Sequence, residues 1–299
     1  MKAYGICPAS CGEFVQGMVG EEEYLCSYAV DMYSTVCIEE KLQDINIGHY
    51  KSRKAIEKVF ERFNIPIKES KNLSLDIYSE IPVGKGMASS SADIGATIKA
   101  TTSLLGKSLT GEEISKLAAQ IEPTDSIFIE QNNIFNPLNG QVIKYLGNIQ
   151  NGRVVILEPH KILSTMKIRS NPNYKSIKKQ NNEIIKEAFS ILEDGIRTNN
   201  LSLVGRACTL SSLANENIDK KPGIKEIIEI SQNYGAYGVN IAHSGTVVGI
   251  LIDKFMNDIK LIRRLKEVNL DSFYNKIYTL DIIGGGTKGE LQWNTSKIL

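Results

Sequence analysis

The chain has 299 residues, 42% of them apolar, which is enough material for two domains with ordinary buried cores. Its 35 basic and 34 acidic residues leave a formal net charge of +1, and this balance argues against nucleic acid as a partner. Every apolar run is shorter than the ~18 residues of a membrane-spanning helix, and the N-terminus lacks the apolar core of a signal peptide. We therefore expect a cytoplasmic protein without a membrane partner.

The five cysteines are odd in number and do not have the paired spacing of a zinc site. Cys7 and Cys11 are close enough to suggest a metal clamp, but no second Cys or His pair lies at a suitable spacing. We expect reduced thiols that are buried as small hydrophobic side chains.

The first half of the chain begins with patterns typical of strands and then alternates helices with further strands. Strands are predicted at 3–6, 24–29, 35–39, 73–78, 142–146 and 154–157, and an amphipathic helix at 52–63. The small residues from Ser91 to Leu105 predict a helix that packs closely against its neighbours. Thr110, with Glu113 three residues later, predicts an N-capped helix that ends before Pro123.

The polar segment 166–182 predicts a connection between two halves, so we divide the chain into domains at 1–165 and 166–299. Beyond it the patterns predict helices at 183–198, 201–216, 224–234 and 254–268, and strands at 237–242, 246–252 and 276–283. Gly235 is the expected left-handed cap of the third of these helices, and Gly284 to Gly286 the expected tail loop. This order favours an antiparallel sheet with helices on one face, an α+β fold.

The segment from Pro82 to Ala92 is the most informative for function, because a strand, two glycines and three serines lead directly into a helix. Gly84 and Gly86 permit close backbone approach, and the start of the helix presents unpaired N–H groups to an anion. A Walker motif is excluded, since Lys85 lies between the glycines. The alternative is a serine-capped helix after a flexible loop.

This segment, with Gly86-Met87, Ser89 to Ala92 and the preceding Pro82, resembles the second motif of the GHMP kinases, the family of galactokinase, homoserine kinase and mevalonate kinase. Pro8-Ala9-Ser10 resembles the first motif, and the stretch from Gly235 to Thr246 resembles the third. The resemblance implies a ribosomal protein S5 domain 2-like N-terminal domain, a ferredoxin-like C-terminal domain, and ATP with Mg²⁺ as cofactors. It also implies that the following residues bind ATP: Pro82, Gly84, Lys85, Gly86, Met87, Ala88, Ser89, Ser90 and Ser91.

Within the family, the stretches 7–13, 84–90 and 242–249 are most similar to the branch of L-threonine kinases. That resemblance implies L-threonine as the small-molecule substrate and L-threonine O-3-phosphate, used in cobalamin synthesis, as the product. The third motif departs from the glycine-rich family pattern at Ala242-His243-Ser244-Gly245-Thr246. We interpret His243 as a loop or substrate-positioning residue, because phosphoryl transfer to a hydroxyl requires little proton chemistry.

Glu122 and Asp125 match a carboxylate pair of the family, in which a glutamate binds magnesium and an aspartate lies near the attacking hydroxyl. The resemblance therefore assigns Ser90 and Glu122 to the metal and Asp125 to catalysis. Hard oxygen ligands suit Mg²⁺, and a carboxylate can orient a hydroxyl or accept its proton. Whether Asp125 is a base or only orients the substrate stays open, as does a role as the N-cap of the next element.

The substrate contacts follow from the chemistry of an amino acid, whose ammonium requires an anion and whose carboxylate requires a cation or N–H donors. Glu13 or Asp31 could receive the ammonium, although both could equally be turn or cap residues, and Arg169 and Arg206 are candidates for the carboxylate. The full set predicted to contact the substrate is Ser10, Glu13, Asp31, His243, Ser244, Gly245 and Thr246.

Three alternatives remain at this point. The chain could be a homoserine kinase or another GHMP kinase with the same ATP chemistry and a different acceptor. It could be a catalytically silent nucleotide-binding regulator, although such a protein needs neither a magnesium ligand nor a hydroxyl-orienting carboxylate. RNA binding through the S5-like half is disfavoured by the near-zero net charge, and a homodimer is left open.

Overall fold

The structure is a computed structural model that describes residues 1–41, 49–160, 174–216, 218, 220–242, 246–268, 270 and 273–292. Its strands are β1 (Lys2–Val19), β2 (Glu22–Glu40), β3 (Leu73–Ser79), β4 (Asn132–Asn136), β5 (Gln141–Gly147), β6 (Gly152–Pro159), β7 (Gly238–Ile241), β8 (Val248–Asp253), β9 (Tyr274–Ile283) and β10 (Lys288–Gln292). Its α-helices are α1 (Tyr50–Arg62), α2 (Ser89–Leu104), α3 (Gly111–Ala119), α4 (Tyr174–Gln180), α5 (Asn182–Arg197), α6 (Leu201–Asn215), α7 (Ile224–Asn233) and α8 (Ile259–Glu267). Within these ranges no helix has the length and apolar character needed to cross a membrane.

The strands form one antiparallel system in the order β10-β1-β2-β9-β6-β8-β7, with β3 and β4 also paired to β2 and β5 paired to β4. The strand β9 joins its two parts: it pairs along its length with β6, and its last residues, Ile282 and Ile283, pair with Val30 and Ala29 of β2. The predicted α+β class is confirmed.

The larger core lies between β1 and β2 and the helices α1, α2, α5 and α6, and a second core lies under α7 and α8 against β6, β7 and β8. The close packing predicted for α2 is confirmed where it crosses β1. A Cβ at Gly5 would lie 2.0 Å from the carbonyl oxygen of Ala96, so the strand and the helix touch backbone to backbone. This contact fixes the middle of α2 relative to the long strand β1.

The sequence patterns placed most elements within a few residues, and the differences have local causes. The short strands predicted at 3–6, 24–29 and 35–39 are parts of β1 and β2, which continue through bulges near Ser10 and Glu13. The helix predicted from 254 begins only at Ile259, because the side chains of Asp253 and Asn257 accept hydrogen bonds from the backbone two residues later and hold the chain in turns. Gly284 to Gly286 form a loop, as predicted, but this loop connects β9 to β10 and is not a tail.

The predicted domain boundary falls in residues 161–173, outside the described residues, so the division at 165/166 stays a prediction. Strands from the two sides of the predicted boundary pair with each other. The strand β6, which precedes the boundary, pairs with β8 and β9, and β10, near the end of the chain, pairs with β1.

Candidate active site

The turn before α2 has an unusual backbone that follows from its sequence. Gly84, Gly86 and Ala88 have φ angles of 71°, 85° and 59°, so every second residue is left-handed. Ala88 is the N-cap of α2 and makes no side-chain capping hydrogen bond, so the predicted alternative of a serine-capped helix is wrong. The N–H groups of the first turn, from Ser89 to Ser91, point out of a 16-residue helix without an intrahelical partner, as an anion-binding site requires.

This phosphate loop (residues 82–88) is held in place by main-chain hydrogen bonds to neighbouring segments. The backbone N–H of Ser10 in β1 donates to the carbonyl of Met87 at 3.2 Å, which joins the first motif to the second. The Met87 side chain is fully buried, and the half-buried Pro82 opens the loop. The hydroxyl of Ser10 is buried and has no hydrogen-bond partner among the described residues.

Lys85 has a different environment from the one that a phosphate-binding lysine requires. Its side chain is buried, and its Nζ donates to the carbonyl oxygens of Pro159 at 2.6 Å and His160 at 3.0 Å, at the end of β6. Its own carbonyl accepts hydrogen bonds from the backbone N–H groups of Thr246 and Val247. The lysine therefore fastens the loop to the end of β6 and to the residues that precede β8.

Ser90 and Glu122 lie in direct contact, as the assignment of both to one metal requires. The Ser90 hydroxyl donates to Glu122 Oε1 in a short hydrogen bond. The ammonium of Lys51, from the first turn of α1, lies 2.9 Å from Ser90 Oγ and 2.6 Å from Glu122 Oε2. Two oxygen atoms of the kind that bind Mg²⁺ thus converge on one position, which the Lys51 ammonium occupies.

Asp125 lies beside the first turn of α2, with two serine hydroxyls directed at its carboxylate. Ser91 donates to Oδ2 at 3.2 Å, and Ser27 of β2 donates to Oδ1 at 3.4 Å. Burial raises the pKa of Asp125, and the hydrogen bonds from Ser91 and Glu13 oppose that shift without cancelling it. Asp125 is therefore not an N-cap; its carboxylate points into a polar cluster beside the phosphate loop.

Glu13 belongs to the same cluster, because its carboxyl group is hydrogen-bonded to that of Asp125. It is buried and lies opposite Ser27 in the β1–β2 register. Two carboxyl groups in such contact share a proton, since both cannot be ionised at short range without a compensating cation. A positively charged group beside the pair would favour the ionised form of both carboxyl groups.

The third motif, which includes β7, contacts both β1 and the phosphate loop. Asn240 in β7 donates through Nδ2 to the carbonyl of Cys11 at 2.6 Å and accepts from the Tyr28 hydroxyl at 2.8 Å. Thr246 is buried and touches the phosphate loop through its backbone N–H. The predicted substrate residues His243, Ser244 and Gly245 lie outside the described residues.

Asp31 does not join the cluster around Asp125. It is exposed, about 13 Å further along β2 from Ser27 at the usual rise of a strand, and its carboxylate accepts the backbone N–H of Asp281 at 2.8 Å. Arg206 is exposed on α6 and forms an ion pair with Glu187, and Arg169 lies outside the described residues. Of the two residues predicted as partners of a substrate ammonium, Glu13 contacts Asp125, whereas Asp31 contacts the backbone of β9.

Three residues of the site carry no signal in the sequence: Lys51, Ser27 and Asp93. Asp93 lies one turn into α2, accepts a hydrogen bond of 2.5 Å from Ser34, and has a pKa raised by burial. Lys51 and Glu122 are 71 residues apart, and Ser27 and Asp125 are 98 apart. Only a prediction of which strands and helices are neighbours could have found them.

All five cysteines are buried and free, as predicted. Burial raises the pKa of Cys11 and of Cys26 to about 12, so these thiols are protonated at neutral pH. Within the described part of the chain, no group of three or more His, Cys, Asp or Glu side chains is arranged to hold a metal ion. A metal at Ser90 and Glu122 would therefore complete its coordination with phosphates and water.

The site combines three features: an anion-binding helix start, the contact between Ser90 and Glu122, and the buried Asp125 beside Ser91. Together they are typical of an enzyme that transfers a phosphoryl group. The model of the GHMP kinases N terminal domain matches residues 51–129, and that of the GHMP kinases C terminal domain matches residues 192–269. This chain belongs to the GHMP kinase family. As such it is a kinase that uses ATP and a small-molecule acceptor.

Two named relatives cover nearly the whole chain. An L-threonine kinase from Salmonella typhimurium is 34% identical over 94% of this chain and 94% of its own length. An L-threonine kinase from Citrobacter freundii is 29% identical over 94% of this chain and 98% of its own length. Among solved structures, a homoserine kinase from Cytophaga hutchinsonii has the same fold, with a TM-score of 0.74, 17% identity and 97% of both chains covered.

Proposed function

We propose that this kinase transfers the γ-phosphoryl group of ATP to the hydroxyl of L-threonine, giving L-threonine O-3-phosphate and ADP. The observation that carries the proposal is the contact between Glu13 and Asp125 beside the start of α2. It puts a site for an ammonium next to a carboxylate that can bind a hydroxyl. The names of the relatives from Salmonella typhimurium and Citrobacter freundii support the same substrate.

The phosphates of ATP bind at the N-terminus of α2. The unpaired N–H groups of Ser89, Ser90 and Ser91 and the positive end of the helix dipole supply the attraction, and the left-handed backbone at Gly84 and Gly86 lets the loop approach closely. Lys85 contributes by holding the loop in place and not by contact with a phosphate.

Ser90 and Glu122 fit a magnesium ion, because they offer two hard oxygen atoms that already converge on a bound ammonium. When bound, the ion would neutralise charge on the phosphates during transfer. Among the described residues no group of three or more His, Cys, Asp or Glu side chains has the arrangement to hold a metal ion alone, so phosphates and water would supply the other ligands.

Asp125 receives the acceptor hydroxyl. Burial raises the pKa of Asp125, so its carboxylate is a stronger proton acceptor than that of an exposed aspartate. Ser27 and Ser91 hold its two oxygen atoms in a fixed orientation, which directs the remaining lone pairs toward the substrate.

The spacing of the two carboxyl groups favours a β-hydroxy amino acid. In L-threonine the ammonium and the hydroxyl are on adjacent carbons, so their partners must also be in contact, as Glu13 and Asp125 are. The ammonium supplies the positive charge that this pair lacks. In homoserine the hydroxyl is one carbon further away, and the same two contacts would move it off the line of phosphoryl transfer.

The test is kcat/KM for L-threonine, L-serine, L-homoserine and mevalonate at equal concentrations, measured by coupled ADP release with ATP and Mg²⁺. L-serine should be poorer by about tenfold, since it lacks the methyl group, and homoserine by about a hundredfold because its hydroxyl is misplaced. The variant Glu13→Gln should lose activity with all amino acids and keep its affinity for ATP. A larger value for homoserine than for threonine would contradict the substrate assignment and leave the family assignment intact, and no turnover at all with normal ATP binding would favour a silent regulator.

We also propose that the enzyme acts in the cytoplasm, where its product serves cobalamin synthesis. The resemblance to the threonine-kinase branch supports the pathway, and the five free cysteines suit a reducing compartment. A deletion strain should lose cobalamin synthesis and regain it when L-threonine O-3-phosphate is supplied. A homodimer stays open, and sedimentation of the purified protein would decide it.

A further inference from the structure

Lys51 links three parts of the chain at the site proposed for magnesium. Its ammonium donates to Ser90 Oγ at 2.9 Å and to Glu122 Oε2 at 2.6 Å, while Ser90 and Glu122 are bonded to each other. The lysine side chain is 49% exposed and that of Glu122 is 19% exposed. Because half-exposed ion pairs contribute little to folding, stability does not explain why a lysine reaches this position.

The Lys51 ammonium offsets the negative charge of the carboxylates around it. The negative charge of Glu122 acts on both Asp93 and Asp125 and opposes their ionisation, so three carboxylates surround the start of α2. ATP must bring several negative charges to this place. Lys51 also acts on Asp93 and favours its ionised form. The lysine therefore reduces the repulsion that an incoming phosphate chain would meet.

The ammonium and a magnesium ion cannot both use the same two oxygens. The ammonium lies at hydrogen-bond distance from Ser90 and Glu122, whereas Mg²⁺ requires oxygen ligands at about 2.0–2.1 Å from its centre. The lysine has a long flexible stem, and the phosphates at the first turn of α2 would be its nearest new anionic partners.

We propose that Lys51 is an exchangeable cation of the nucleotide site: it neutralises Glu122 in the free enzyme and moves to the phosphate oxygens when magnesium takes up Ser90 and Glu122. This inference rests on the proposed metal site. Lys51 thus supplies part of the positive charge that the metal would bring, so nucleotide binding depends less on Mg²⁺ than it would without the lysine, and it acts as a positioning residue for the phosphates.

The test compares the affinity for AMP-PNP in EDTA and in excess Mg²⁺, by calorimetry, for wild type and for Lys51→Met. Removing the ammonium leaves Glu122 uncompensated when no metal is present, so affinity in EDTA should fall more than affinity in Mg²⁺. The ratio of the two dissociation constants should rise about tenfold. The Mg²⁺ concentration for half-maximal binding should fall, because the metal no longer competes with the lysine.

Two variants serve as controls. Lys51→Arg retains the charge and should keep the ratio within about threefold of wild type. Lys54→Met removes a lysine of the same helix whose ammonium lies 3.9 Å from the carboxylate of Glu57, and it should leave the ratio unchanged. Lys51→Gln replaces the methionine variant if that one unfolds. An unchanged ratio in both Lys51→Met and Lys51→Gln would overturn the inference and leave the kinase intact. If wild type bound AMP-PNP equally with and without Mg²⁺, the proposed metal site itself would be wrong.

Discussion

Asp125→Asn is the substitution that separates catalysis from folding most clearly at this site. The asparagine has the same size, can accept the hydrogen bond from Ser27 or Ser91, and can donate its amide N–H to the carboxylate of Glu13. It cannot accept a proton. If Asp125 is a general base, kcat should fall by about 10²-fold or more, which corresponds to ~2.7 kcal/mol of transition-state stabilisation.

The raised pKa of Asp125 adds a prediction for stability whose sign is opposite to that for activity. Burial disfavours the ionised carboxylate, so the folded protein keeps the proton to a higher pH than the unfolded chain does. The stability contributed by the neutral form is present below the unfolded pKa and is lost as the pH rises through the folded pKa. Asn does not titrate, so the variant should melt at a higher Tm than wild type at pH 7, and the difference should shrink in acid.

The assays are ADP release between pH 5 and 8 and thermal melting over the same range and below it. Wild type should lose kcat/KM on the acid side at a pH above the ordinary aspartate range of about 3.9, and the variant should lack that limb. Asp76→Asn, an exposed aspartate of β3, is the control for the chemical change and should alter neither property. A rate within twofold of wild type would remove Asp125 from the site, and a roughly tenfold loss without a change in the pH profile would limit it to orienting the hydroxyl.

Two further predictions concern the phosphate end of the site. Ser90→Ala and Glu122→Gln should each lower magnesium-dependent turnover by about a hundredfold, ~3 kcal/mol, with little change in Tm, and turnover within twofold of wild type in both would refute the metal assignment. Lys85→Met keeps the aliphatic stem but removes the Nζ that donates to the carbonyls of Pro159 and His160. Melting should show a loss of about 1–3 kcal/mol, with the exposed Lys68→Met as control, and an unchanged Tm would refute the anchoring role.

The phosphate loop was predictable because the residues that determine its conformation are consecutive in the sequence. Left-handed positions at Gly84 and Gly86 and an uncapped helix start follow from the local sequence, and both are present. The left-handed cap at Gly235, with φ of 83°, was predictable for the same reason. Ala88 was not, since a left-handed alanine is strained in isolation and is held here by the loop around it.

The strand β4 was missed because its sequence, Asn132 to Asn136, contradicts ordinary strand preferences. Two of its buried asparagines form hydrogen bonds outside the ladder: Asn132 donates to the carbonyl of Ser27, and Asn136 donates to Glu22. Such contacts join residues about a hundred positions apart, so no local pattern reveals them. The grouping of Glu13, Ser27 and Asp125 was hidden for the same reason.

The two ends of the active site are held together by different means, and this difference explains how one fold serves different acceptors. The phosphate loop is fixed largely by main-chain bonds, from Ser10 to Met87 and from Thr246 and Val247 to Lys85, which many sequences can form. The acceptor end, as we propose it, is built from side chains, above all the carboxyl groups of Glu13 and Asp125. Substitutions there can change the substrate without disturbing the loop. Conservation of the fold at 17% identity to a homoserine kinase is the expected result of such a division, because the backbone geometry that binds phosphate places few demands on the remaining residues.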